Sequence, residues 1–338
     1  LNLNMPQLAG FPRFSLDATS TPIQPLEKLS RYLGGANIFV KRDDVHWIGG
    51  GGNKLRKLEF LIGQACKERA DVVITVGGKQ SNHARLTAAA AARAGLKCEL
   101  VLSRMVDRDD EDYTRNGNVL IDRLFGATIH DLAEGVDPVA FAQDRINELE
   151  TNGSRVFFCP LGGSSPIGCL GYVNGYYEIA QQEKEAGFRF KQILMANGSG
   201  GMQAGLLAGA AISDGDFTRI RGFTVLSDES EARANTLAKL RETALLLAAD
   251  SDFPESAVQI RADQLGSGYG LPTEQAIEAI ALVASKEAIL LDPVYSGKAF
   301  AGLIEDIRTG ELARGSNVLF ILSGGVTSLS AYRRQLVR

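Results

Sequence analysis

Four glycines, an asparagine and a lysine stand in a row at Gly49-Gly50-Gly51-Gly52-Asn53-Lys54, followed by Leu55-Arg56-Lys57. A flexible glycine run that delivers one lysine to the start of a helix suits a reactive amine. There the backbone N–H groups and a nearby phosphate shift the amine's protonation state. A surface loop with incidental lysines gives the same string, since Lys41 and Lys57 are close by.

A second segment, Gly77-Gly78-Lys79-Gln80-Ser81-Asn82-His83, follows the apolar run DVVITV. Small residues after a strand, then hydroxyl and amide side chains at a helix start, suit an anionic or polar ligand. Ser81 or Asn82 reads equally well as a plain N-cap. A third, Asn197-Gly198-Ser199-Gly200-Gly201-Met202, precedes a helical stretch through 204–211. Stacked glycine N–H groups with a serine hydroxyl make a phosphate cradle. The position five after Gly198 is Gln203, so the dinucleotide fingerprint fails, and no Gly-Lys-Ser/Thr follows to make a P-loop. A phosphate-bearing cofactor other than ATP or NAD is the better reading.

The tail adds Gly268-Tyr269-Gly270 with Pro272, then Asp292-Pro293-Val294-Tyr295-Ser296-Gly297-Lys298, then Ser323-Gly324-Gly325. Tyrosines in turns serve as proton donors or as packed rings with a wet tip.

The elements that must position these groups alternate. Strand-like runs at 37–41, 71–76, 98–102, 155–159, 192–196, 222–226 and 317–322 are separated by amphipathic, alanine-rich stretches, with helices predicted at 54–70 and 82–94. Buried strands alternating with helices predict an α/β fold of parallel sheets flanked by helices. Ligands in such sheets bind at the carboxyl ends of strands, where most of the Gly-rich segments fall. The 104–115 stretch, rich in Asp and Arg, reads as a solvated loop. No Pro/Gly/Ser linker splits the 338 residues, so a second domain is expected as an insertion with two crossings.

A net charge of −4 without a basic cluster argues against nucleic-acid partners. No apolar run is long enough to span a bilayer, and residues 1–14 lack a signal-peptide plan, so no membrane partner and a cytoplasmic location are expected. Cys66, Cys98, Cys159 and Cys169 lie far apart and only three histidines are present, so free thiols and no metal are expected.

Taken together and in order, "KRDD…GGNKLRKLEF", "QSNHAR", "RNGN", "LGYV", "YGLP" and "LLDPVYSGKAFAGLI" resemble the pyridoxal-phosphate (PLP) enzymes of the tryptophan-synthase-β type, fold type II. More narrowly they resemble the group of 1-aminocyclopropane-1-carboxylate (ACC) deaminase, D-cysteine desulfhydrase and L-cysteate sulfo-lyase. The resemblance covers nearly the whole chain. It implies Lys54 as the Schiff-base lysine, Asn82 on the PLP ring hydroxyl, and the phosphate held by Gly198, Ser199, Gly200, Gly201 and Met202 after Asn197. It implies Ser323 near the pyridine nitrogen and Ser81 beside the substrate carboxylate or Cα. Tyr269 and Tyr295 would face the substrate, with Gln80, His83, Ser164 and Ser296 on the same side. A two-domain fold is implied, with a large PLP-binding domain from 1–54 and 166–338, a small α/β domain at 55–165, and a homodimeric assembly.

The chemistry implied is β-elimination from a small cysteine-type amino acid to pyruvate, ammonia and sulfide or sulfite: a PLP-dependent carbon–sulfur lyase. Met105 stands where ACC deaminase typically has Trp, and Ser296 where it has Glu, which makes that enzyme the weaker match. Lys79 and Arg104 are extra cations that could neutralise the sulfonate of L-cysteate, or could point to solvent. An amino-acid racemase of the same fold, a dinucleotide-dependent oxidoreductase and a PLP-free amino-acid binding protein are the alternatives. The last two fit poorly, lacking the fingerprint or any need for Lys54.

Overall fold

Runs such as Val72–Gly78 and Val318 to Leu322 bury every side chain, and a strand apolar on both sides needs cover on both faces. The structure, a computed structural model, describes residues 5–16 and 20–336. Its ten strands are β1 (Ile23–Pro25), β2 (Asn37–Arg42), β3 (Val72–Gly78), β4 (Lys97–Ser103), β5 (Thr128–Asp131), β6 (Val156–Cys159), β7 (Gln192–Asn197), β8 (Ile220–Thr224), β9 (Gln259–Arg261) and β10 (Asn317–Leu322). A six-stranded sheet runs β1-β2-β10-β7-β8-β9 and a four-stranded one β5-β4-β3-β6. Only the β1–β2 pair is antiparallel.

Side-chain alternation on β10 shows how each sheet is covered. Leu319 and Ile321 pack with Tyr172, Val173, Leu206 and Leu207, from helices Pro166–Ala186 and Gly201–Ala211. Val318, Phe320 and Leu322 face the other way, onto Ile280, Val283, Phe300 and Leu303 of helices Glu274–Glu287 and Ser296–Arg308. The four-stranded sheet is covered by helices Lys54–Lys67 and Asn82–Ala94 on one face and Pro138–Thr151 on the other.

The Lys54–Lys67 helix joins the two layers. It packs against Pro166–Ala186 so closely that a Cβ on Gly171 would collide with the Arg56 carbonyl. Arg56 on its buried side donates to Asp43 (2.8 and 3.0 Å) and to Glu178 (2.9 and 3.1 Å). Glu178 also takes Lys41 at 2.5 Å, and the Tyr172 hydroxyl donates to Asp43 at 2.6 Å.

The seven expected strands are present with shifts of one or two residues. The 222–226 run starts and stops earlier, because the chain turns after Thr224, whose hydroxyl donates to the Ser227 carbonyl at 2.7 Å. The helix expected at 54–70 ends at Lys67. All four cysteines are free. Among the described residues no helix is long and apolar enough to cross a membrane.

Candidate active site

The glycine run is held by the element it faces. Arg85, fully buried on the Asn82–Ala94 helix, donates to the carbonyls of Gly49 (2.8 Å) and Gly51 (3.0 Å). Gly51, at φ 73°, leaves no room for a Cβ beside the Asp44 carbonyl, so this position requires glycine. The Asn53 N–H donates to the Ser323 carbonyl at 3.0 Å, tying the run to the end of β10. Lys54 thus opens its helix on the wall of a cavity of about 780 Å³, counting its open mouth, between the two sheets. Its amine has no hydrogen-bond or ion-pair partner among the described residues. Burial first, then the Lys57 charge, pushes its pKa well below the usual lysine range, which favours the neutral, nucleophilic form of the amine.

At the carboxyl end of β3, Ser81 caps the Asn82–Ala94 helix, its Oγ accepting from the Ala84 N–H at 3.1 Å while it also lines the cavity. The Asn82 Oδ1 accepts from the Asn118 Nδ2 at 2.9 Å, so the Asn82 NH2 remains as a donor. His83 bonds the Thr75 hydroxyl through Nε2 at 2.9 Å. Burial, then Lys54 and Lys57, lowers its pKa well below the usual histidine range, so its ring is neutral.

The third segment turns at the carboxyl end of β7. Asn197 Nδ2 donates to Gln203 Oε1 (2.7 Å) and Thr236 Oγ1 (3.0 Å), and its buried Oδ1 has no partner among the described residues. Gly200, at φ 80°, opens the Gly201–Ala211 helix. A Cβ on Gly201 would stand 2.7 Å from Lys57 Nζ and 2.5 Å from Ser164 Oγ. Lys57 is 1 % exposed, donates to the Gly162 carbonyl (3.1 Å) and Ser164 Oγ (2.9 Å), and has no carboxylate beside it. Burial lowers its pKa to about 8. An uncompensated ammonium beside the positive end of a helix calls for an anion.

Across the cavity the Tyr269 and Tyr295 hydroxyls hydrogen-bond at 2.6 Å. Burial, followed for Tyr269 by its tyrosine neighbour, raises both pKa values, so both rings stay protonated. Ser323 completes the floor, and Met105 and Leu161 lie at the mouth. The free amine, the amide NH2 and the cationic cradle fit PLP.

Of the residues expected here, the cavity gathers Lys54, Ser81, Asn82, His83, Asn197, Gly198, Ser199, Gly200, Met202, Tyr269, Tyr295 and Ser323. Gly201 lies just behind, against Lys57. Five others sit off the lining. Lys79 pairs with Asp131 at 3.1 Å, and Arg104 with Asp107. The Gln80 amide is engaged by the carbonyls of Tyr113 and Asn116 and by the Asn118 N–H. Ser164 bridges Lys57 and the Ser199 hydroxyl (2.7 Å) and so shapes the cradle. Ser296 is fully buried, donating to Asp292 Oδ1 at 2.6 Å, and cannot face a substrate. Sequence reasoning passed over Lys57, although it lies one turn beyond Lys54, on the same side of the helix.

A family model described as pyridoxal-phosphate dependent enzyme matches residues 14–324. The chain is 40% identical over 336 residues to a D-cysteine desulfhydrase of Serratia proteamaculans, covering 99% of this chain and 100% of that one. It is 39% identical over 330 residues to a 1-aminocyclopropane-1-carboxylate deaminase of Burkholderia multivorans, covering 96% and 97%. A solved structure described as an ACC deaminase homologue superposes with a TM-score of 0.87 at 38% identity, covering 98% and 97%.

Proposed function

The chain belongs to the pyridoxal-phosphate-dependent enzymes, and from that premise we propose that it is a carbon–sulfur lyase acting on D-cysteine, with release of sulfide, pyruvate and ammonia. The observation that carries the choice of substrate is the charge of the lining. Among the described residues its only basic side chains besides the neutral His83 are Lys54 and Lys57, and no carboxylate joins them. The side bounded by Ser81, Met105, Tyr269 and Tyr295 accepts a neutral thiol. A sulfonate there would be buried without a counterion, since Lys79 and Arg104 are paired elsewhere. Among the described residues no carboxylate lines the cavity to act as the acid in opening a strained ring.

Each side chain then has a task. Lys57, Ser199 and the Gly198–Met202 backbone would hold the cofactor phosphate, the Asn82 amide would donate to the ring oxygen, and Ser323 would lie towards the ring nitrogen. The substrate carboxylate lies at the N-terminus of the Asn82–Ala94 helix beside Ser81. Lys54, as a neutral amine, would take the Cα proton. PLP, when bound, would supply the electron sink for the pair left at Cα. The Tyr269–Tyr295 pair delivers a proton to the departing sulfur. Cα–H and Cβ–S break, a Cα–Cβ double bond forms, and water converts the released 2-aminoacrylate to pyruvate and ammonia.

The test is to give the purified enzyme D-cysteine, L-cysteine, L-cysteate and ACC, and to assay 2-oxo acid, sulfide and sulfite together. Pyruvate with sulfide from D-cysteine supports the proposal; sulfite from L-cysteate, or a four-carbon 2-oxo acid from ACC, replaces it with the sulfo-lyase or the deaminase. Lys54→Ala should lose both the yellow, borohydride-sensitive absorbance and the activity.

We propose further a large domain of 1–54 and 166–338 and a small one of 55–165, in line with the β3–β6 sheet lying within 72–159. A homodimer is the assembly that the family resemblance supports, and sedimentation tests it.

A further inference from the structure

The segment Arg115-Asn116-Gly117-Asn118 lies outside the cavity lining, yet its last residue touches the one cavity amide that would face the cofactor ring. Asn118 is fully buried and opens the helix Asn118–Leu124. Its Nδ2 donates to two oxygens, the Gln80 backbone carbonyl at 2.8 Å and Asn82 Oδ1 at 2.9 Å. Its Oδ1 accepts from the Thr327 hydroxyl at 2.6 Å. A backbone carbonyl only accepts, so the Gln80 contact alone decides which Asn118 atom is nitrogen. The Asn82 atom that meets the same nitrogen must then be its oxygen, and the Asn82 NH2 is left pointing away as a donor. Gly325 leaves room for it, since a Cβ there would stand 2.7 Å from Asn82 Nδ2.

The surroundings hold Asn118 in that pose. Gln80 Oε1 accepts from the Asn118 N–H at 2.9 Å, and Gln80 Nε2 donates to the carbonyls of Tyr113 and Asn116. Gly117, at φ 62°, brings the backbone so near that a Cβ would stand 2.6 Å from Gln80 Oε1. Thr327, just beyond the Ser323-Gly324-Gly325 turn, anchors the amide from the six-stranded side.

We propose that Asn118 is a positioning residue that locks the Asn82 carboxamide as a donor towards the cofactor's ring oxygen and so sets that oxygen's charge state. A free asparagine side chain turns over at little cost and would offer its own oxygen, repelling an anionic ring oxygen. Locked by Asn118, Asn82 donates only, which favours the anion. The inference rests on the placement of the ring against Asn82 proposed above.

The experiment measures two properties of the purified protein: the pH titration of the bound cofactor's visible absorbance, and the affinity of the apoenzyme for PLP. Asn118→Asp keeps the shape but cannot donate, so it accepts from Thr327 and turns the Asn82 amide over; Asn118→Ser is the second variant if Asp at this buried position impairs folding. The expected result is a displaced titration midpoint and PLP affinity weakened about tenfold or more, the loss of one hydrogen bond to a charged group. In an Asn82→Ala background the same substitutions should add nothing. Wild-type titration and affinity in the Asn118 variants, or equal effects with and without Asn82, would overturn the inference. Asn82→Ala that alone leaves the titration unchanged would instead overturn the placement of the ring.

Discussion

The hydroxyl oxygens of Tyr269 and Tyr295 lie 2.6 Å apart, with ring centroids at 5.9 Å and planes crossing at 68°. One hydroxyl donates to the other, and burial keeps both protonated. The Tyr295 ring also abuts Gly198, where a Cβ would be 3.2 Å from Cε1, so the pair touches the phosphate loop at one end and open cavity at the other.

A pair that works as one donor predicts non-additive losses. Tyr269→Phe and Tyr295→Phe should each lower kcat for sulfide release from D-cysteine by about 10²-fold, within the range for general acid–base groups. The double variant should be little worse than the worse single. Steady-state sulfide assays check this, and two singles at wild-type kcat would assign the proton to another group.

Lys57 predicts how cofactor binding depends on pH. With its pKa lowered to about 8 by burial, the amine is charged below that value and neutral above it. A phosphate needs it charged, so apoenzyme affinity for PLP should be steady below about pH 8 and fall as pH rises past it. Lys57→Ala should bind PLP about tenfold to a hundredfold more weakly, from the loss of a charge-assisted hydrogen bond, and should lose the alkaline dependence. Fluorescence titration of apoenzyme across pH 7 to about 9.5 reads both.

Lys79 and Arg104 illustrate what a sequence does and does not disclose. Their charge was visible, but their partners Asp131 and Asp107 were not: Asp131 is 52 positions from Lys79, brought near only because β5 pairs with β4 and β4 with β3. Lys79→Ala and Arg104→Ala should therefore leave kcat/KM for D-cysteine within about twofold, the scale expected for partly exposed ion pairs. A tenfold loss in either would return that cation to the substrate.

The central strands were legible because their residues must be apolar on both faces, as in β3 and β10. β1, β5 and β9 were not, being short edge strands without an apolar run, whereas β6, equally short and at an edge, showed itself through Val156-Phe157-Phe158; β1 even ends in Pro25, which an edge tolerates. The Gly-rich segments were legible because each needs backbone geometry or proximity that a side chain forbids, as at Gly51 and Gly201. Ser296 misled because a hydroxyl after a turn reads alike whether it faces a ligand or, as here, Asp292. Asn118 and Lys57 stood in quoted segments without a task, because their meaning lies in partners from distant segments, Thr327 and Ser164.

Beneath Lys54 the Arg56–Asp43–Glu178–Lys41 cluster pairs two buried cations with two buried anions. Removing one member of such a cluster leaves a buried charge uncompensated, at a cost of about 3–5 kcal/mol. Glu178→Gln should lose about that much stability near neutral pH. The sign with pH follows from the carboxyl. Although burial opposes it, Arg56 and then Lys41 hold the Glu178 pKa far below its ordinary value of 4.5. Its contribution is therefore present above the unfolded value and fades as pH falls below about 4.5 towards the folded one. Denaturant titrations of both proteins at pH 7 and at successively lower pH should find wild type losing its advantage over Glu178→Gln on the acid side. Because Arg56 is two residues from Lys54 on a short, packed helix, the variant should also weaken PLP affinity without touching the cavity. Equal stability of the two proteins at pH 7 would mean the four charges cancel no better than a neutral amide does, and would remove this cluster as the support of the Lys54 helix.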